Sequence, residues 1–334
     1  MSKNIHWIEY SGTTSEWDNL VLINGGNYRQ LYLWGERQKK LGWNVYRYIH
    51  KLESSSFVVQ ILSKKKFFFQ VFYIPGGVVD NKYGYGHLNA LLKKIAKKKI
   101  FYVKLDSSYL FDPGGSEVFK INNWKRPLYF INSAETIFID LSNNRDFLSS
   151  ASRRWRRQLR KSQDSNKIFI TKETTSSDLE HASSEMQKFK NIYLRDDPSN
   201  IIEVINTFND QVITVCAYHK GEMLGFRAAL IHGRKAWDFY AATTPMGRKM
   251  DVGYLLIYEL LKETQKQDVH SYTLPLSRTN IGDTQFKKRL NGSLNLLMGE
   301  WEYSNSTVFR LLINVMIYLS LNSRILVFIK KNFN

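Results

Sequence analysis

Cysteine is nearly absent from this sequence: Cys216 is the only one in 334 residues. No intramolecular disulfide can form and no thiolate cluster can be built around a metal, which suits a reducing compartment. Cys216 lies mid-strand in VITVCAYH, with no helix N-terminus to lower its pKa, so a cysteine nucleophile is set aside and the residue reads as buried filler. The seven histidines stand at positions 6, 50, 87, 181, 219, 232 and 270 without i, i+3 or i+4 pairing, so neither a metal nor another bound cofactor is expected. Phosphate-cradling glycine loops are missing too. No GxxxxGK[ST] occurs and no GxGxxG follows a strand, which disfavours NTP hydrolysis and dinucleotide chemistry.

Long apolar runs are also lacking. The greasiest stretch, FRLLINVMIYLSLNSRILVFIKK, holds thirteen uncharged residues between Arg310 and Arg324, short of the roughly 20 needed to cross a bilayer. It reads as a terminal helix packed on the body, with an amphipathic helix lying in a membrane surface as the alternative. The opening residues MSKNIHWIEYSG carry neither the apolar run nor the cleavage site of a signal peptide, so a cytoplasmic location is expected, with peripheral contact at the inner face of the membrane as an option. Acid is scarce relative to base: 30 Asp plus Glu face 48 Lys plus Arg, a formal net charge of +18. The expected partners are therefore anionic, whether nucleic acid, nucleotide phosphates or a membrane surface.

What is present reads as α/β. YRQLYLWGERQKKLG is a helix candidate ending at Gly42, followed by the aromatic alternation WNVYRYIH. FVVQIL and FFFQVFYI read as strands closed by Pro75-Gly76-Gly77, YGHLNALLKKIAKKK as a helix with its apolar face at Leu88, Leu91, Leu92 and Ile95, and FYVKLD as a strand ending at Asp106. Short strands are expected between Asn122 and Asp140, the last of them TIFIDL. The second half repeats the logic: the strand KIFIT, a helix over LEHASSEMQKFKNIY, and the meander QVITVCAYHKGEMLGFRAALIHGRKAWDFYAAT with turns at Lys220-Gly221 and His232-Gly233. The helix VGYLLIYELLKETQKQ and the strands HSYTLPL and NLLMGEWEY complete it. Strand, helix, strand in this order implies mixed sheets flanked by helices, and two similar halves imply a duplicated domain with its boundary near residue 145. No heptad run separates KIFIT from QVITV, so no long helical arm is expected.

The stretch ASRRWRRQLRKS is unusual in its charge. On a helix, Arg153, Arg154, Arg156, Arg157, Arg160 and Lys161 cover about half the circumference, while Ala151, Trp155 and Leu159 repeat at i, i+4 and i+8 on the other side. Arginine, whose planar fork grips phosphate or carboxylate with paired hydrogen bonds, outnumbers lysine here although lysine prevails elsewhere. This is either an anion-binding ridge or a solvated helix face. Farther on, a meander followed by a helix is the arrangement in which N-acyltransferases of the GNAT type hold acyl-CoA pyrophosphate on helix amides. The matching loop is Arg248-Lys249-Met250-Asp251-Val252-Gly253, and Asp251 stands where [RQ]xxGx[GA] has its first glycine. A carboxylate there repels pyrophosphate, which argues against ordinary CoA binding.

Several segments, in this order, carry a family resemblance: WGERQKKLGW, FYIPGGVV, LLKKIAKKKIFYVKLD, TIFIDLS followed by RRWRRQLRKS, and TQFKKRLNG, which is similar to FKxxFG. The chain resembles the Fem family, bacterial aminoacyltransferases that move an amino acid from aminoacyl-tRNA to an amine of a peptidoglycan precursor and are built from two GNAT-like domains. The segments span nearly the whole length. The resemblance implies an α/β fold of two GNAT-like domains in tandem, residues 1–145 and 146–306, with a C-terminal helical segment at 307–334. It implies a catalytic Lys287 in the Phe286-Lys287 element, its ammonium stabilising a developing oxyanion, with Phe286 beside it and Lys288 as the substitute if the register differs by one. It implies an acidic site residue, Asp106, as general base or amine-orienting group, with Ser107 where the family has proline. The family's W-x-x-x-K lysine falls on Gln38, so Arg37 and Lys39 are left as the candidate phosphate contacts, which puts the acceptor in doubt. Arg154, Arg157, Arg160 and Lys161 become substrate-binding residues for a tRNA acceptor stem or a carrier diphosphate.

Three readings follow. In the first, an amino acid passes from aminoacyl-tRNA to an amine of a UDP- or lipid-linked cell-wall precursor, with no cofactor besides the donor. In the second, acyl-CoA is the donor of an N-acyltransferase of surface-polysaccharide assembly. In the third, a degenerate fold binds nucleic acid or a membrane surface without catalysis. Asp251 discriminates against the second, Lys287 and Asp106 together against the third, and Gln38 weighs against the first.

Overall fold

A computed structural model of the chain describes residues 7–51, 56–79, 85–97, 99–142, 146–164, 167–190, 198–278 and 280–321. The elements are β1 (Trp7–Glu9), α1 (Thr14–Ile23), α2 (Tyr32–Lys40), β2 (Asn44–Lys51), β3 (Ser56–Lys66), β4 (Phe69–Gly76), α3 (Tyr85–Ala96), β5 (Ile100–Leu110), α4 (Pro113–Ile121), β6 (Glu135–Asp140), α5 (Arg153–Gln163) and β7 (Phe169–Thr171). There follow α6 (Ser176–Lys190), α7 (Pro198–Thr207), β8 (Val212–His219), β9 (Glu222–His232), β10 (Lys235–Thr243), α8 (Pro245–Lys249), α9 (Val252–Gln265), β11 (Ser271–Pro275), α10 (Ile281–Lys288), β12 (Ser293–Ser304) and α11 (Thr307–Leu321).

The local chemistry explains the boundaries. Thr13 and Glu16 cap the first helix reciprocally: the Glu16 amide donates to Thr13 Oγ1 at 3.3 Å and the Thr13 amide to Glu16 Oε2 at 2.9 Å. Asp112 caps α4, with Pro113 in the first turn where its missing N–H costs nothing. Lys220 and Gly221 both take positive φ, 51° and 82°, as a tight hairpin between β8 and β9 demands. Five helices stand where the sequence pattern was not read as helical: α1, α4, α7, α8 and α10. Between Asn122 and Asp140 the structure forms one strand, β6, together with an isolated bridge from Lys125 to Glu302, instead of several short strands.

The chain forms two compact units. The first comprises Met1–Ala134 with Leu296–Asn334, and the second Glu135–Asn295. In the first, strands run in the order β1-β2-β3-β4-β5-β12, and in the second β7-β8-β9-β10-β11-β6. Each sheet is antiparallel except for one parallel pair, β4 with β5 and β10 with β11. The layouts correspond strand for strand, with one twist in connectivity. β6 follows the first unit's strands in sequence and pairs with β11, while β12 follows the second unit's strands and pairs with β5. The units therefore divide at 134/135 and again at 295/296, where the sequence pattern divides the chain once near 145 and assigns the last strand to the second domain.

The first core packs Phe72, Phe101, Leu88, Leu92, Phe119, Trp124 and Trp301, with Phe119 stacked on Trp301 at 4.5 Å. Among the described residues, the second unit has two. Trp155 and Leu159 of α5 join Leu256, Leu260 and Leu274 in one. Leu179 and Ala182 of α6 and Ile201, Ile202 and Ile205 of α7 join Cys216, Phe226 and Ala228 in the other, so these two helices lie against strands and do not project as an arm.

Candidate functional site

In the second unit, Lys287 sits in the last turn of α10, a helix capped by Asn280, whose side chain accepts from the Asp283 amide at 3.1 Å. The side chain is buried. Its ammonium donates to the Pro275 carbonyl at 2.8 Å and lies 3.2 Å from Asp238 Oδ2 and 3.1 Å from Asp283 Oδ2. Asp238 is held on its other side by a two-pronged pair from Arg227, Nε to Oδ1 and Nη2 to Oδ2, both 2.7 Å. Burial alone would raise the Asp238 carboxyl; the charges of Arg227 and Lys287 outweigh it and hold the group below the ordinary carboxylate range. The strand geometry puts these groups together. The parallel ladder between β10 and β11 is three pairs long, Lys235–Trp237 against Ser271–Thr273, and Asp238 follows it directly at an irregularity in the β9 register. Lys287 spans from Asp238 on one parallel strand to Pro275 at the end of the other.

Lys288, the alternative, points elsewhere and pairs with Glu135 at 3.3 Å, both side chains nearly half exposed. Phe286 is half-buried and packs: its ring meets Tyr254 edge-on at 5.0 Å and Trp155 at 6.5 Å, with the Arg227 guanidinium 5.8 Å from its centre. Lys190 lies in the field of this cluster, and burial followed by the charges of Arg248 and Lys287 lowers its pKa against the pull of Asp283.

Helix α5 is capped by Ser152, which accepts from the Trp155 amide at 3.3 Å. Trp155, Leu159 and Ser162 are buried, while Arg153, Arg154, Arg157, Arg160 and Lys161 are exposed. Among the described residues, Arg154, Arg157 and Arg160 make no ion pair. Lys161 pairs with Asp251 at 3.0 Å. Asp251 has φ 57° at the start of α9, the left-handed conformation a glycine would adopt more readily, and its side chain caps nothing.

In the first unit, Asp106 is mid-strand. β5 continues to Leu110 where its sequence reads as ending at Asp106, because β12 pairs along it, with Glu300 opposite Asp106 and Leu297 opposite Leu110. The Asp106 carboxylate accepts from Arg29 Nη1 at 3.1 Å and Asn132 Nδ2 at 2.9 Å. Arg29 is placed by the turn before α2, where Gln30 is locked in by bonds to the carbonyls of Gln60 and Pro75. Burial pushes the Asp106 carboxyl up and the Glu300 charge adds to it, against Arg29, Lys104 and Asn132. Glu300 is itself buried, paired with Lys104 at 2.8 Å and held by the amides of Ile131 and Asn132 at 2.9 Å each. Arg37 and Gln38 are buried in α2, and Lys39 reaches Glu36 at 2.8 Å. Arg37 is therefore enclosed in the unit and Lys39 engaged at its surface.

Residues 149–288 match the family model described as an acetyltransferase (GNAT) domain. The second unit is a GNAT domain, and the chain is an acyltransferase. A crystal structure of FemX superposes with a TM-score of 0.76 at 18% identity, over 92% of this chain and 100% of that one. A tandem GNAT protein from the clavulanic acid biosynthesis pathway gives 0.57 at 10% identity over 91% and 99% of the two chains. The L-PGS structure from Bacillus licheniformis gives 0.54 at 11% identity over 93% and 98%. No curated protein matches the sequence. These likenesses show the fold, two GNAT-like units in tandem, and at that level the Fem resemblance holds.

In the GNAT domain, sequence reasoning missed Arg227, Asp238, Asp283 and Lys190 near Lys287 and took Arg248 only as the start of a loop; in the first unit it missed Arg29, Asn132 and Glu300 around Asp106. A signal was present for three of them. FRAALI, WDFYAA and GEWEY each set charge inside an apolar strand, and charge buried in a sheet persists only where it is paired.

Proposed function

We propose that this GNAT-type acyltransferase transfers an aminoacyl group from aminoacyl-tRNA to an amine of a UDP- or lipid-linked peptidoglycan precursor in the cytoplasm, with no cofactor besides the donor. The observation that carries the reading is the buried Lys287 ammonium, oriented by Asp238, Asp283 and the Pro275 carbonyl in a domain without a cysteine nucleophile. The amine nitrogen attacks the ester carbonyl, the carbonyl oxygen gains negative charge, the ester C–O bond breaks, and the released ribose hydroxyl takes up a proton while the amine loses one. A fixed ammonium favours the charge that develops on oxygen. Asp106, with its pKa raised by burial, suits orientation of the amine or receipt of its proton. Arg154, Arg157 and Arg160 offer exposed guanidinium groups to the phosphates of tRNA or of a carrier.

The test is a transfer assay with charged tRNA and an amine-bearing muropeptide precursor, run beside acetyl-CoA with the same acceptor. Lys287→Ala should lower kcat on the order of 10²-fold with KM little changed, as expected for a group acting on transition-state charge. Lys288→Ala should behave close to the parent. Turnover of acyl-CoA without turnover of aminoacyl-tRNA would transfer the reading to the CoA-dependent class, and an undiminished kcat in Lys287→Ala would remove the proposed role.

A further inference from the structure

The first unit carries an apolar surface that folding does not account for. β3 ends in Lys64-Lys65-Lys66, the chain turns at Phe67-Phe68, and β4 begins at Phe69. Phe67 and Phe68 are 78% and 77% exposed, and Phe67 has φ 50°, a left-handed position where Gly or Asn would be less strained. Beside this tip, Lys99 Nζ donates to the Phe67 carbonyl at 2.9 Å and the Ile100 amide to the Phe68 carbonyl at 3.2 Å. On the other side Phe69 stacks on Phe309 of α11 at 4.6 Å, so the tip and the helix are continuous.

Helix α11 has its polarity reversed. It turns Arg310 and Asn314 inward onto buried Glu302, at 2.6 and 2.8 Å. Outward it presents Val308, Leu311, Leu312, Val315 and Met316, each between 44% and 69% exposed. A water-facing helix arranges these classes the other way round. Around the surface the charge is of one sign: Lys64, Lys65 and Lys97 are exposed, and no Asp or Glu occurs among the described residues 56–79, 85–97, 99–105 or 303–321. Among the described residues, no helix is long and apolar enough to cross a membrane.

We propose that the Phe67-Phe68 tip and the outward face of α11 together dock this protein on an anionic phospholipid bilayer, inserting apolar side chains among the acyl chains while the lysines meet the headgroups. Apolar contact rimmed by cations is what an interfacial anchor requires. A nucleic acid would use the lysines and leave the apolar face of α11 in water. A second copy of the chain would bring lysines against lysines. The docking surface uses none of the residues assigned to the transfer chemistry, and either reading survives failure of the other.

The test is co-sedimentation of the full chain with phosphatidylcholine vesicles, with and without phosphatidylglycerol, at two salt concentrations. The parent should bind the phosphatidylglycerol vesicles, more weakly as salt rises. Phe67→Ser with Phe68→Ser, and separately Leu312→Gln with Val315→Gln, should each lower partitioning on the order of tenfold while melting temperature and transfer to a soluble acceptor stay those of the parent. Lys64→Gln, Lys65→Gln and Lys97→Gln together should remove most of the salt dependence. The proposal is overturned if the parent stays in the supernatant, if both apolar variants bind as the parent does, or if sedimentation velocity shows a dimer that Leu312→Gln dissociates while vesicle binding is unchanged.

Discussion

Buried charge decides most of what single residues do in this protein. Asp238 is enclosed with Arg227 and Lys287, and its folded-state pKa lies below the ordinary carboxylate value. Such a group contributes stability that is present above the ordinary carboxylate range and is lost as pH falls through the lower folded value. Asp238→Asn should therefore be less stable than the parent at neutral pH, by about 3–5 kcal/mol, since it leaves the buried Arg227 without its anion and Lys287 with Asp283 alone. The gap should close in acid as the parent's own carboxyl becomes neutral. Thermal melts across the acid range up to neutral pH check this, and a gap that stays constant would mean that Asp238 is not ionised in the folded protein. The sequence shows Lys287 and Asp106 only through the resemblance. Lys287 has one local partner, Asp283 one helical turn before it, but the others lie far along the chain, Asp238 and Pro275 for Lys287 and Arg29, Asn132 and Glu300 for Asp106. No spacing rule links such positions, because sheet pairing brings them together.

At the scale of elements, α5 separates packing from charge within one helix. Trp155 is fully buried against the core of the second unit, and Arg154, Arg157 and Arg160 face solvent. Trp155→Ala should destabilise by about 3–5 kcal/mol. The triple change of Arg154, Arg157 and Arg160 to Gln should leave the melting temperature nearly unaltered, yet weaken binding of tRNA or UDP-linked precursor and flatten its salt dependence. A triple variant that binds with the parent's affinity and salt slope would make the face a solvated one. The amphipathic period of α5 was legible because it is local: one turn of helix exposes what the next turn buries. The helix α11 shows the limit of that legibility. Its apolar residues mark it as a helix, but which side faces the protein is decided by Glu302, a buried acid that draws Arg310 and Asn314 inward.

At the scale of the whole molecule, the connectivity has a consequence for fragments. The first unit is completed by β12, which supplies Trp301 to its core and Glu300 to Lys104. A fragment of residues 1–145 lacks both, leaves the edge of β5 open and exposes the ring of Phe119. It should be aggregated or poorly dispersed by NMR, and a fusion that joins residues 296–321 to it through a flexible linker should recover a cooperative melt. A fragment 1–145 that folds alone with a sharp transition would show that β12 is dispensable.

Composition and local periodicity by themselves determined a good deal: the exclusion of an intramolecular disulfide, the alternation of strands and helices, the duplication of the α/β pattern, and the basic face of α5. Each is a property of neighbouring residues, since helix faces repeat within a turn or two and strand faces within two residues. The tertiary structure alone decided that β6 and β12 each complete the unit other than the one whose strands immediately precede them, that Lys287 rather than Lys288 meets Asp238, that Arg37 is enclosed, and that α11 turns its apolar side outward. The physical reason is common to all four. Strand partners and counter-charges are chosen by which distant segments can share hydrogen bonds and burial, and the free energy of that choice is written in no single stretch of chain.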